Sequence, residues 1–468
     1  MCPSYCINRR ASMAKSLVAI ACFLLATGCA TTDWTPVNGP LEKPISETQF
    51  PYAIPSSDDG VVIGLSFSGG GTRAAAFAYG VLDGLRTQYA WNRGRPLLDN
   101  VRFISGVSGG SVTAAYYGLF HDRIFEDFER KFLYANAESD LRTSFGPGVI
   151  QAALSGGIND QTRLPRWLQK NLFGNATIND LLERTPRIVL NASDIYNRVP
   201  FTFTLQTFNA ICSDPSSVLV ADAVAASSAV PIAFVPIVMQ VYKQNCTNPL
   251  PSWASVAATD PSAAAKIQAT GWAWTKYRDD PDVNFLKLAD GGITDNLGLS
   301  SLSLFLESLG GPQKLVDLAR IRRLVVLVVD AGQQQTQSWT NTAAGSSGID
   351  LAVASIDTGM SSSAQANFDL FGQLLKRWRQ AAVAARCHMN RVDAAKILDV
   401  RPGWRCGDIE VAVLHLSFDV LGAARARQLS MVPTRLSLPT EQVEEVIQAG
   451  RDVVRTRPWG LREQIALH

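Results

Sequence analysis

Ser108 stands at the centre of Gly106-Val107-Ser108-Gly109-Gly110, a G-x-S-x-G sequence entered directly from the strand-like run Val101-Arg102-Phe103-Ile104-Ser105. A serine at a sharp strand-to-helix turn presents its hydroxyl clear of the backbone, and flanking glycines admit a reacting group where a side chain would clash. The chemistry this suits is nucleophilic attack on a carbonyl, which needs donors for the developing oxyanion and a base for the hydroxyl proton. Ser68-Gly69-Gly70-Gly71-Thr72-Arg73 offers the donors. Three consecutive glycines at a helix start leave backbone N–H groups open to an anion, either an oxyanion or a phosphate. The chain has no G-x-x-x-x-G-K-[ST] sequence, and Gly69-Gly70-Gly71 lacks the G-x-G-x-x-G spacing, so the oxyanion is the better fit.

Two kinds of residue can serve as the base. The histidines are His121, His388, His415 and His468. His121 and His468 read as solvated, and His388 falls in a helical pattern. His415 lies in the strand-like Ile409–Phe418, where it is either a sheet-face histidine or the last member of a Ser, Asp, His order. A carboxylate is the other choice. Phe285-Leu286-Lys287-Leu288-Ala289-Asp290 reads as a strand ending in Asp290-Gly291-Gly292. Held at a strand end and desolvated, Asp290 would have its pKa raised toward the range of a general base, although Asp-Gly on its own is also a common turn signal.

The same elements recur around each of these residues. Val61–Phe67 is apolar and strand-like before the glycine triplet, and the helical run Ala74–Leu82 follows it. Ser111–Phe120 is a small, apolar helical segment after Ser108, so the positive end of its dipole faces the serine. Leu324–Asp330 is another fully apolar strand.

Taken together, these segments resemble the patatin-like phospholipase family, in the family's order and over roughly residues 61–332. Gly69-Gly70-Gly71-Thr72-Arg73 resembles its oxyanion block, and Gly106-Val107-Ser108-Gly109-Gly110 its nucleophile elbow. Ala226-Ser227-Ser228-Ala229-Val230-Pro231 resembles its A-S-x-x-x-P block, and Asp290-Gly291-Gly292 its D-G-[GA] block. Ala74 after Arg73, where plant patatins often carry glycine, points to a bacterial branch. The resemblance implies a three-layer α/β/α fold with a central, mostly parallel sheet. It also implies Ser108 as nucleophile, Asp290 as general base and the Gly69, Gly70 and Gly71 N–H groups as oxyanion hole. The implied activity is lipid acyl-ester hydrolysis of the phospholipase A or lysophospholipase kind, without metal or organic cofactor. Arg73 would either neutralise a lipid phosphate or pair with a structural carboxylate. Ile188–Asp194 resembles a family strand, with Asn191 and Asp194 read as turn or packing residues. Two alternatives stay open: a Ser–Asp–His triad using His415, and a non-catalytic lipid-binding envelope lipoprotein whose pocket holds acyl chains without turnover.

The amino terminus carries Arg9, Arg10 and Lys15 before the apolar Leu17–Leu25, too short to span a bilayer. Leu25-Ala26-Thr27-Gly28-Cys29 resembles a bacterial lipobox, which implies residues 1–28 as signal peptide, Cys29 as the lipidated residue and membrane attachment through it. An ordinary secretory signal or an anchor helix is the alternative, and Met13 is a second possible start. Residues 29–59, rich in Pro, Ser, Thr and Asp, read as a tether. Ala30 after Cys29 favours the outer membrane of the cell envelope.

With 468 residues, 47% hydrophobic, the chain can bury a large core, and a net charge of +2 gives no sign of nucleic-acid binding. Neither H-E-x-x-H nor paired C-x-x-C motifs occur, so a zinc site is not expected. Beyond Cys29 the remaining cysteines pair most simply as Cys212 with Cys246 and Cys387 with Cys406, the other reading being reduced thiols. The catalytic domain is expected over 60–335, interrupted at about 243–282 by a loop-rich insertion. That insertion holds a short helix near Ser262–Ala269 and the aromatic run Trp272–Tyr277, read as core or as an interfacial anchor. Residues 336–468 are expected to form a helical elaboration from which Ile409–Phe418 rejoins the sheet.

Overall fold

The computed structural model describes residues 34–43, 60–88, 95–139, 141, 161–231, 233–246, 248–308, 321–332, 343, 348–389, 392 and 405–456. The expected signal peptide and Cys29 lie outside the described residues. In chain order the strands are β1 (Gly39–Pro40), β2 (Val61–Phe67), β3 (Val101–Val107), β4 (Arg187–Asp194), β5 (Val199–Thr202), β6 (Ser213–Asp214), β7 (Ile237–Gln240), β8 (Phe285–Asp290), β9 (Arg323–Asp330) and β10 (Glu410–Ser417). The helices that bear on the site are α1 (Gly71–Thr87), α2 (Gly109–Phe120), α3 (Val220–Ser227), α4 (Ser252–Thr259), α5 (Ala265–Asp279), α6 (Gly292–Asp295), α7 (Leu299–Ser308), α8 (Gly348–His388) and α9 (Thr440–Thr456).

The main sheet runs β10-β9-β2-β3-β4-β8-β7, with β5 also paired to β4. From β10 to β4 every neighbour is parallel, and β8 joins antiparallel to β4. Parallel strands covered on both faces must be apolar throughout, and all seven residues of β2 are buried. The two faces alternate along each strand. Val325, Leu327 and Val329 of β9 join one core, shared with α1, α2 and α9. Leu324, Val326 and Val328 join another, shared with α7 and α8. The result is the expected three-layer α/β/α arrangement.

Two parts of the chain fold differently in detail from their sequence reading. The stretch read as a tether is docked along 37–41: the Val37 N–H donates to the Val238 carbonyl at 3.0 Å, and β1 pairs antiparallel with β6. The insertion is mostly helical, not loop-rich, because its prolines fall outside the helices. Pro251 is the N-cap of α4, while Pro261 and Pro281 lie beyond the ends of α4 and α5. Trp274 and Tyr277 of α5 are core residues, and the Tyr277 hydroxyl donates to Asp194 Oδ2 at 2.8 Å. Trp272 is exposed and donates through Nε1 to the Ala258 carbonyl.

The C-terminal elaboration is integral to the site. β10 rejoins the sheet parallel to β9. α9 crosses α1 at backbone distance, since a Cβ on Gly80 would meet the Ile447 carbonyl oxygen at 2.1 Å and one on Gly450 the Phe77 carbonyl oxygen at 2.5 Å. Between β10 and α9, the Arg435 carbonyl accepts the Thr72 N–H at 2.8 Å and so supports the start of α1. Disulfides join Cys212 to Cys246 and Cys387 to Cys406, with Cα–Cα distances of 5.1 and 5.0 Å.

Candidate active site

Ser108 occupies the single residue between β3 and α2, with φ 49° and ψ −121°. A non-glycine residue holds that conformation only when its surroundings over-determine it. Its N–H donates to the Ser227 hydroxyl at 2.8 Å, its carbonyl accepts the Ser111 N–H at 2.9 Å, and the Ser111 hydroxyl donates to the same carbonyl at 2.6 Å. The turn also needs Gly109, because a Cβ there would lie 1.9 Å from the Gly71 carbonyl oxygen. The glycine triplet and the elbow are therefore in direct backbone contact.

Asp290 reaches the serine across β4. Val107, immediately before the nucleophile, is the register partner of Asn191 on one side of β4, and Asp290 is the partner of Ala192 on the other. The Asp290 carboxylate accepts the Gly292 N–H at 2.8 Å, and the nearby Ser108 side chain favours its ionised form. Burial pushes its pKa up to about 6, against the lowering effect of the Gly292 N–H and of Ser108.

Ser227, at the end of α3, ties the two halves together. Its hydroxyl accepts from Ser108 and donates to the Asn191 carbonyl at 2.6 Å, while its carbonyl accepts the Gly291 N–H at 3.1 Å. The Asp290 N–H donates to the Ala229 carbonyl at 2.9 Å. The block at 226–231 thus clamps nucleophile and carboxylate from beneath. Asn191 is a brace beside it, donating through Nδ2 to the Ser105 hydroxyl and the Gly106 carbonyl, each at 2.8 Å.

The turn after Asp290 is fixed from two distant segments. The Thr294 carbonyl accepts from Lys266 Nζ of α5 at 2.6 Å, and from the Ser363 hydroxyl and Asn367 Nδ2 of α8 at 2.5 and 3.0 Å. Lys266 also donates to Asn367 Oδ1 at 2.6 Å, and burial lowers its pKa. No local motif marks any of these three, because each comes from a helix far away in sequence.

The glycine triplet is not uniform. The Gly69 N–H donates to the Asn296 carbonyl at 3.0 Å, whereas among the described residues no acceptor engages the Gly70 or Gly71 N–H. Gly71 has φ 57°, and a Cβ on it would meet the Arg435 carbonyl oxygen at 2.4 Å. Arg73 is buried, donating through Nε to the Ala331 carbonyl at 2.9 Å and through Nη1 to the Val432 carbonyl. Burial pushes its pKa down to about 10, with Asp330 and Asp357 opposing the shift. These contacts turn the guanidinium to two main-chain carbonyls, where the sequence suggested a lipid phosphate or a structural carboxylate as partner.

His415 is not brought to the serine. It sits on β10, three strand spacings or roughly 14 Å from β3. Its Nε2 lies 3.0 Å from Asp330 Oδ2, and its side chain is 43% exposed. Among the described residues no helix is long and apolar enough to cross a membrane, and no group of His, Cys, Asp and Glu could hold a metal ion.

A family model described as patatin-like phospholipase matches residues 65–303, just over half of the chain. No curated protein matches. Among solved structures, human GIVD cytosolic phospholipase A2 is similar at 13% identity and a TM-score of 0.33, covering 89% of this chain. The chain spans 64% of that protein's length, and the likeness is too loose to transfer any residue.

Proposed function

Because the chain belongs to the patatin-like phospholipase family, we propose that it is a serine-dependent lipid acyl hydrolase of the phospholipase A or lysophospholipase kind, working through a Ser108–Asp290 dyad. The observation that carries this reading is the placement of Ser108, on a strained elbow at the end of β3, one strand away from a buried carboxylate whose pKa is pushed up to about 6. A carboxylate in that range is ionised at neutral pH yet basic enough to take a proton from the hydroxyl as it attacks.

In the first step Asp290 accepts the Ser108 proton while Oγ bonds to the ester carbon, and the carbonyl electrons move onto oxygen. The Gly70 and Gly71 N–H groups hold that oxyanion, with the Gly69 N–H fixing the loop through Asn296. Collapse breaks the bond to the alcohol oxygen, which leaves with the proton from Asp290, and Ser108 is acylated. Water then gives its proton to Asp290, attacks the acyl carbon and releases the fatty acid. His415, paired with Asp330 at the other side of the sheet, takes no part.

Lipidation of Cys29 would hold the enzyme on a membrane of the cell envelope, outer-membrane sorting being the reading that Ala30 favours. The two disulfides accord with an oxidising compartment. Fatty-acid release from phospholipid and lysophospholipid vesicles by the full chain tests the activity. Release by the wild type and none by Ser108→Ala is expected, and equal release by both would refute the reading. Incorporation of labelled palmitate that disappears in Cys29→Ser tests the anchor, and unchanged incorporation would exclude it.

A further inference from the structure

We propose that Asn296 is a further catalytic residue, its side-chain amide donating to the ester oxygen that becomes negatively charged when Ser108 attacks; the inference rests on the reaction proposed above. Asn296 is the C-cap of α6, and its main-chain carbonyl accepts the Gly69 N–H at 3.0 Å. Any residue supplies a main-chain carbonyl, so this contact gives no reason for a carboxamide. The side chain has a place of its own. A Cβ on Gly69 would lie 2.4 Å from Asn296 Oδ1, and one on Gly292 would lie 2.8 Å from it. The carboxamide is therefore seated between the glycine triplet and the turn after Asp290, against two residues that have no side chain to exclude it.

Both members of the dyad are close by. The point where a Gly69 Cβ would stand is 3.5 Å from Ser108 Cβ, and the corresponding point at Gly292 is 3.0 Å from Asp290 Oδ1. Asn296 Oδ1 thus lies within about 6 Å of each, two hydrogen-bond lengths. Yet the carboxamide is unpaired: Oδ1 is buried with no hydrogen-bond partner, and among the described residues no acceptor engages Nδ2. A carboxamide left without partners beside a nucleophile and its base points to a partner that arrives with the substrate. With Oδ1 lodged against the glycines, Nδ2 is the end of this half-buried side chain left to a ligand, and it is a donor. A donor fixed beside the oxyanion loop binds the ester oxygen more strongly as charge develops on it, which lowers the barriers to acylation and deacylation alike. Asn296 would act there together with the Gly70 and Gly71 N–H groups.

The test is hydrolysis of p-nitrophenyl octanoate by the full chain in wild type, Ser108→Ala, Asn296→Ala and Asn296→Asp, each checked for folding by circular dichroism. Asn296→Ala should lower kcat/KM about a hundredfold or more, the usual loss for one oxyanion donor, with the fall in kcat and not in KM. Asn296→Asp keeps the shape and replaces the donor by an acceptor, so it should be at least as slow, and it carries the test if Asn296→Ala does not fold. Binding separates this role from mere packing. An octyl trifluoromethyl ketone adds to Ser108 and forms an oxyanion, whereas the alcohol made by its reduction does not. Both variants should bind the ketone more weakly, in proportion to their loss of kcat/KM, and the alcohol as tightly as the wild type does. An Asn296→Asp protein as active as wild type, or equal losses of affinity for ketone and alcohol, would overturn the proposal. Turnover abolished by Ser108→Ala but untouched in the folded Asn296 variants would overturn this proposal alone. Equal turnover by wild type and Ser108→Ala would refute the underlying reading as well.

Discussion

Replacing Asp290 with Asn should inactivate the enzyme and at the same time stabilise its fold, by an amount that grows with pH. The carboxyl is buried, and its pKa rises from 3.8 to about 6 on folding because desolvation outweighs the lowering effects of the Gly292 N–H and Ser108. Below pH 3.8 both folded and unfolded chains hold the proton, and the residue favours neither. As pH rises from there the unfolded chain ionises first, so stability falls, and the loss is complete once the folded carboxyl has also ionised. Linkage gives a penalty of about 1 kcal/mol at about pH 4.5 and about 3 kcal/mol at about pH 8. Asn removes that penalty and keeps an oxygen for the Gly292 N–H. For a chain of 468 residues, 3 kcal/mol corresponds to a rise in Tm of about 3 °C. Thermal unfolding of wild type and variant across this pH range measures the difference. Asp222, whose pKa burial also pushes up to about 6, is common to both proteins and cancels. A Tm difference that is independent of pH, or that shrinks as pH rises, would refute the reasoning.

The same carboxyl sets the acid limb of catalysis: kcat/KM for a soluble ester should rise with pH through about 6 and level off above it, in a pH–rate profile. Ser227→Ala leaves the Ser108 N–H and the Asn191 carbonyl without their shared hydroxyl, at about 1–3 kcal/mol for each buried group. Denaturant titration should show the stability loss, and steady-state kinetics a fall in kcat as the elbow relaxes. Gly71→Ala forces a Cβ onto a residue at φ 57° and against the Arg435 carbonyl, so about 2 kcal/mol or more of destabilisation is expected in the same titration, together with loss of turnover.

Where local sequence dictates the fold, residue types alone make this molecule legible. The runs at 61–67, 101–107, 285–290 and 323–330 are mostly apolar because both faces of a covered sheet favour apolar side chains, and the glycine-rich turns mark where the backbone must reverse or be approached. The terminal helix from Thr440 is visible in its periodic apolar face, which packs on α1. What sequence does not display is contact between distant segments. Arg73 beside three glycines suggests an anion partner, and only the fold shows its guanidinium between the Ala331 and Val432 carbonyls. The division of labour among Gly69, Gly70 and Gly71 depends on Asn296, more than two hundred residues away. Lys266, Ser363 and Asn367 converge on one carbonyl from two helices, an arrangement that no spacing could reveal.

The most direct test of the dyad is fluorophosphonate labelling read by mass spectrometry of the adduct, in wild type, Ser108→Ala, Asp290→Asn and His415→Ala. The account predicts a single adduct on Ser108, absent in Ser108→Ala, strongly slowed in Asp290→Asn and unchanged in His415→Ala. Labelling that survives Ser108→Ala at the wild-type rate, or that is lost in folded His415→Ala and retained in Asp290→Asn, would contradict it.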